Sequence, residues 1–296
     1  MKFRFFGLIA ILILSGCGYT SSVLKSSKSI ESRAFPGYEM LSENDRAKAY
    51  SLLAKALDHE ALYSLMANLK PISSIGYSLS YPLGKDSTQI DGSQNVVSIY
   101  RDTVVTSLAD INSWNNVLKA LSFNEYQFLL VPFKNVWKGE RNMQILLCRT
   151  DLLDSVLVAQ APFFAQWGFV PGSDPSTILT AIEFEERNDR YRAYGYLFGY
   201  PEQAVNFFVE ASQQQQKTGD FVQRSFFHIP VYAKDTGHFT YALPKDYQHL
   251  PTDSVTYYKA VDVLYKYQSM RSQFVNEHGH LEALNLYRSW WAKNNH

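Results

Sequence analysis

The chain has 296 residues with 28 basic and 28 acidic side chains, a balance that leaves no strong field to steer nucleic acid onto its surface. Its 20 Tyr and 19 Phe exclude a disordered stalk and supply material for a large core. Cys17 and Cys148 are the only cysteines, so no disulfide framework is expected.

Taken in chain order, Lys2 and Arg4 precede an uncharged apolar run, Phe5 to Leu14, that is too short to span a bilayer as a stable helix. Leu14-Ser15-Gly16-Cys17 follows, an apolar residue and two small ones ahead of a cysteine. This order resembles the type II signal peptide and lipobox of bacterial lipoproteins. The resemblance implies that Cys17 takes a diacylglyceryl group, that the chain is cut before it, and that the new amine is often acylated. Two or more acyl chains give stable membrane attachment where one gives only marginal binding. Gly18 stands where that family's inner-membrane retention signal has Asp. The resemblance therefore implies the outer membrane, facing the periplasm, in a Gram-negative source, and the outer face of the plasma membrane otherwise. Removal of residues 1–16 takes Lys2 and Arg4 and no acid, leaving 26 basic against 28 acidic side chains.

Residues 17–36 are Ser-rich without apolar periodicity and read as a flexible tether. Ser22 and Lys25 form an S-x-x-K, but a tether offers no rigid helix to hold that Lys beside the Ser. Ser42 to Asp45 is a helix start, and Tyr50, Leu53, Leu57, Ala61, Leu65 and Leu69 continue at helical spacing to Pro71. This is one long helix or two split at Asp58. Ser73 to Leu83 alternates as a strand, and Val96 to Leu121 reads as a helix carrying Ile111, Trp114 and Leu118. Tyr126 to Phe133 and Met143 to Cys148 form a hairpin around Lys138-Gly139. Cys148, inside the apolar run, is expected to be buried and inert.

Thr150 is placed as the cap of a helix from Asp151 to about Phe164, and Asp174-Pro175 opens another. Pro201 starts one that runs into Gln213 to Gln216. Phe226 to Ala233 and Phe239 to Leu243 make a second hairpin around Asp235-Thr236-Gly237, and the tail is helical over Val255 to Phe274 and Leu281 to Trp291. The order of elements predicts an α+β fold: a mostly helical single domain over residues 37–296 with a small antiparallel sheet built from hairpins.

Four constellations carry candidate chemistry. His278-Gly279-His280, with Glu282 beside it, has two imidazoles that suit zinc, with His228 as a remote third ligand; a helix break with its cap explains the same residues. No metal or other cofactor is otherwise expected, because no nucleotide or cofactor motif is present. Asp235-Thr236-Gly237 matches the aspartic-protease triplet, yet it occurs once and is followed by His238, so a turn is the expected reading. His59-Glu60, with Tyr63 one turn on, is a candidate acid–base cluster or a solvated helix face.

The fourth is Arg187 to Phe208, where Arg190, Arg192, Tyr191, Tyr194, Tyr196 and Tyr200 lie beside two glycines and a proline. Arg forks and Tyr faces suit sugars, peptides or lipid headgroups, while core packing with Gly199-Tyr200-Pro201 as a turn is the competing reading. Ligand-binding candidates are accordingly Arg192, Tyr194, Tyr196 and Tyr200. Two functions follow. One is an envelope lipoprotein that binds an envelope protein or glycan ligand and no nucleic acid. The other is a cell-envelope hydrolase of glycan, peptide or ester bonds using His59, Glu60, His228 or the His278/His280 pair.

Overall fold

The computed structural model describes residues 34–82, 85–86, 97–98, 101–248 and 251–294, so the signal segment, Cys17 and the Ser22/Lys25 pair lie outside the described residues. Ordered packing starts earlier than the sequence suggests. Ala34 and Phe35, placed in the tether by composition, are fully buried, and Phe35 packs against Phe123 at 4.9 Å and Tyr287 at 5.0 Å. A 3-10 turn, Pro36–Met40, leads into α1, Glu43–Asp58, whose first turn is capped by Ser42 Oγ accepting the Asp45 N–H at 3.2 Å.

The first helix does break at Asp58, and the cause is tertiary. The Asp58 carboxylate accepts from the Tyr267 hydroxyl at 2.6 Å and pairs with Arg271 at 2.9 Å, while its carbonyl accepts the Ala233 N–H at 2.9 Å. One further turn, α2 (Leu62–Leu65), precedes β1 (Ile72–Pro82). Lys85–Asp86 (β2) and Val97–Ser98 (β3) form a short antiparallel ladder, so the helix expected from Val96 begins later, as α3, Arg101–Leu121. The strands β4, Tyr126–Trp137, and β5, Glu140–Arg149, extend beyond their predicted ends and turn at Lys138-Gly139, both with positive φ.

These strands make an antiparallel sheet of order β1-β5-β4. Helices cover both of its faces. Ile145 and Leu147 point into a core shared with α1 and α3, whereas Leu146 and Cys148 point into a second core beneath the following helices. Burial on two sides explains why Ile145 to Cys148 reads as a continuous apolar run rather than an alternation. Cys148 is buried, and desolvation pushes its thiol pKa up, away from the reactive thiolate.

The second core is made by α4 (Thr150–Ala159), α5 (Ala161–Phe164), α6 (Pro175–Phe184) and α7 (Arg187–Leu197). The single helix expected from Asp151 to Phe164 is divided at Gln160, where Pro162 enters the new first turn. Thr150 is not its cap: its hydroxyl donates to the Glu125 carbonyl at 3.3 Å. Asp174 does cap α6, its carboxylate accepting the Thr177 N–H at 2.8 Å.

After α8, Glu202–Thr218, the hairpin of β6, Arg224–Val231, and β7, Lys234–Pro244, packs against α8 and against α9, Pro251–Arg271. Its turn is Tyr232-Ala233, not Asp235-Thr236-Gly237, which lies within β7. Ala233 is tied to Asp58, and Tyr232 sits under the Arg271 guanidinium at 4.1 Å, so distant partners select the turn over local Asp-Gly preference. A last helix, α10, Ala283–Asn294, closes the first core, and Arg288 donates to the Ala34 carbonyl at 3.1 Å. The architecture is thus a mixed α+β, mostly helical body with small antiparallel sheets. No described helix is long and apolar enough to cross a membrane.

Candidate functional site

The helices α7 and α8 meet closely because Gly195 has no side chain: a Cβ there would lie 2.6 Å from Val205 Cγ2. The turn between them needs Gly199, which has φ +74 and lies against Pro71 and the Lys70 backbone. This pair of helices, with the β6–β7 hairpin leaning on it, encloses a hollow of about 300 Å³. Its wall is formed by Tyr194, Tyr200, Ala204, Phe226, Thr240 and Ala242. The volume is at the lower end of the range for small-molecule sites.

The two wall tyrosines are held differently. Tyr194 donates its hydroxyl to the buried Glu183 carboxylate at 2.6 Å, and the other Glu183 oxygen accepts the Lys134 N–H at 2.9 Å from β4. Burial and the Glu183 charge push the Tyr194 phenol pKa up, so it stays a neutral donor. Tyr200 packs against all three apolar clusters of the molecule, yet its hydroxyl has no hydrogen-bond partner among the described residues. Its phenol pKa is likewise raised, first by burial and then by Glu60.

A second hollow, about 440 Å³, adjoins the first along the Tyr191–Phe208 ring pair, whose centroids are 5.1 Å apart and which lines both. Arg187, Gln215, Gln216, Phe221 and Arg224 complete it. The more open hollow beside Asn115, Lys119, Ser122 and Ser176, about 490 Å³, gathers none of Arg192, His59 or His228. There the Phe128 N–H on the β4 edge is already taken by Ser122 Oγ at 2.9 Å.

The residues singled out in Arg187 to Phe208 are divided by this geometry. Tyr194 and Tyr200 line the inner hollow, as does Tyr191. Arg192 and Tyr196, one turn apart, lie outside the hollow's lining: Arg192 donates to Asn206 Oδ1 on α8, and Tyr196 is buried against Phe163 at 5.8 Å. Arg190 donates to the Glu183 carbonyl at 3.1 Å. The arginines that face the cleft are instead Arg187 and Arg224.

The acid–base candidates are held by different partners. Glu60 is buried, and its carboxylate takes the Lys70 ammonium at 3.1 Å and the Ser74 N–H at 2.8 Å. His59 Nδ1 lies 2.9 Å from the Lys55 carbonyl, and Tyr63 donates to the Pro230 carbonyl. His228 Nδ1 lies 2.9 Å from Oγ1 of the wall residue Thr240, but His228 does not itself line the inner hollow, and no hydrogen bond joins it to Glu60 among the described residues. His278 and His280 sit in an exposed turn whose backbone N–H groups are both taken by Asn276 Oδ1 at 3.0 Å. Among the described residues no three His, Cys, Asp or Glu side chains gather for a metal.

Lys70 is the functional-looking residue the sequence did not announce. It is fully buried, and its ammonium lies 4.0 Å from the Phe239 ring centroid and 5.3 Å from those of Phe198 and Tyr200. Desolvation pushes its pKa down while Glu60 holds it up. Ser64 and Ser73 complete the junction: Ser64 donates to the Lys70 carbonyl at 2.9 Å and accepts from the Ser73 hydroxyl at 2.8 Å. No family model, no curated protein and no solved structure significantly matches the chain.

Proposed function

We propose that the protein is a lipid-anchored cell-envelope protein whose body binds an apolar ligand in the cleft between α7, α8 and the β6–β7 hairpin. The observation that carries this reading is the inner hollow of about 300 Å³, with apolar and tyrosine walls and no charged side chain in its lining. Concave, mostly apolar walls with a few fixed polar groups are what small-molecule sites share. Anchoring rests on the resemblance of Leu14-Ser15-Gly16-Cys17 to a lipobox, and Gly18 after it favours the outer membrane of a Gram-negative source, the outer face of the plasma membrane being the site otherwise.

Binding is tested with the mature chain carrying Cys17→Ala, because acyl chains on Cys17 would themselves compete for an apolar site. The neutral fluorophore N-phenyl-1-naphthylamine should bind saturably, and Ala242→Trp, which grows into the hollow, should abolish that binding while the circular dichroism spectrum is kept. Equal binding by both proteins contradicts the reading. Anchoring is tested by mass spectrometry of the mature product, where Cys17 should carry the added diacylglyceryl mass. An unmodified Cys17 contradicts that part.

A further inference from the structure

We infer that the ligand is a single-chain amphiphile with an anionic head, of the fatty-acid carboxylate type, bound tail-inward. The inference rests on the reading of the cleft as a ligand site and adds what that reading leaves open, the polarity and direction of the occupant. The cleft is divided along its length. No charged side chain lines the inner hollow, and a charge drawn into it would meet a large desolvation cost. The outer hollow is lined by Arg187 and Arg224 with two glutamine amides and no carboxylate.

These arginines differ from the others around them. Arg149, Arg271 and Arg288 pair with Asp151, Asp58 and Glu39 within 2.9 Å. The Arg187 side chain has no hydrogen bond or ion pair with any described residue, and the Arg224 side chain donates only its Nε, to the Val222 carbonyl at 3.2 Å. The Arg224 guanidinium is held by rings, 4.5 Å from Phe221 and 5.6 Å from Phe208, which leaves its terminal N–H groups unspent. In a chain of balanced charge, two uncompensated guanidinium groups in one hollow are a local feature that an anion would satisfy.

The dimensions select one tail. At about 300 Å³, the inner hollow holds on the order of ten water volumes, room for one alkyl chain and not for the two of a diacyl lipid. The Tyr191–Phe208 pair marks where head and tail divide, with the tail running toward Tyr200.

The test displaces N-phenyl-1-naphthylamine from the mature Cys17→Ala chain with dodecanoate, dodecanol and dodecyltrimethylammonium, all of one chain length. Dodecanoate should act at about tenfold lower concentration than the neutral and cationic probes. In the double variant Arg187→Ala/Arg224→Ala that preference should vanish, with dodecanol unchanged. Should the double variant fail to fold, Arg187→Glu alone, at an exposed position, sets a carboxylate beside Arg224 and should erase the preference for dodecanoate. Equal displacement by dodecanoate and dodecanol, or a preference that survives both variants, overturns the inference and leaves the cleft standing. Failure of the fluorophore and of every probe to bind removes the cleft reading itself.

Discussion

Two arrangements of cations and aromatic rings lie a short way apart in this molecule. At Lys70 the cation is sealed: Phe198, Tyr200 and Phe239 surround it, and Glu60 neutralises it at 3.1 Å. At Arg224 the rings are present, as Phe208 and Phe221, but neither it nor Arg187, which lines the same hollow, has a counter-ion among the described residues. A buried charge with its partner is a structural joint, whose removal by halves is costly. Charges left beside rings at the mouth of a cleft cost little to the fold and are available to a ligand. Residue type alone does not separate the two; completeness of pairing does.

The comparison breaks most visibly at Glu60. Glu60→Gln leaves the fully buried Lys70 without its counter-charge and should remove about 3 kcal/mol or more of stability in urea unfolding. A loss under about 1 kcal/mol would show that Lys70 is not a sealed joint. The joint is sharpened by adding Lys70→Met: the double variant should recover most of the loss, since a buried pair replaced by apolar groups is often neutral.

Next in size, Gly195→Ala places a Cβ 2.6 Å from Val205 Cγ2 and should cost about 1–3 kcal/mol by overpacking. It should also weaken fluorophore binding, because α7 and α8 are then pushed apart at the cleft wall. Unchanged binding would show that the hollow does not depend on this contact. Smallest on stability is Arg187→Ala/Arg224→Ala, expected within about 0.5 kcal/mol of the parent in the same urea titration. A loss comparable to that of Glu60→Gln would make these arginines structural and erase the contrast.

Much of the fold was legible because its cues are local. Ser42 and Asp174 accept the N–H groups that their sequence positions imply, and Ile145 to Cys148 reads as the buried strand it is. What was not legible depends on partners far along the chain. The hairpin turn moved from Asp235-Thr236-Gly237 to Tyr232-Ala233 because Asp58 and Arg271 hold the latter. The Ser-rich tether gives no sign that Ala34 and Phe35 are buried, since the rings that cover Phe35 come from Phe123 and Tyr287.

The site was half legible for a geometric reason. Helical spacing groups Arg192 with Tyr196 and Tyr191 with Gly195, but it does not say which flank of α7 stays open. The open flank is the second, and its cation partner Arg224 arrives from β6, beyond the reach of any local pattern. Lys70, next to Pro71 at the end of an apolar stretch, carries no mark of its burial in the sequence.

The most direct test of the tail-inward cleft is crystallographic: the Cys17→Ala chain with 12-bromododecanoate, read by bromine anomalous scattering. The account predicts a single strong bromine peak in the inner hollow, beside Tyr200 and Ala204, with the carboxylate between Arg187 and Arg224. A bromine peak at the arginine end, or on another face of the molecule, would contradict it.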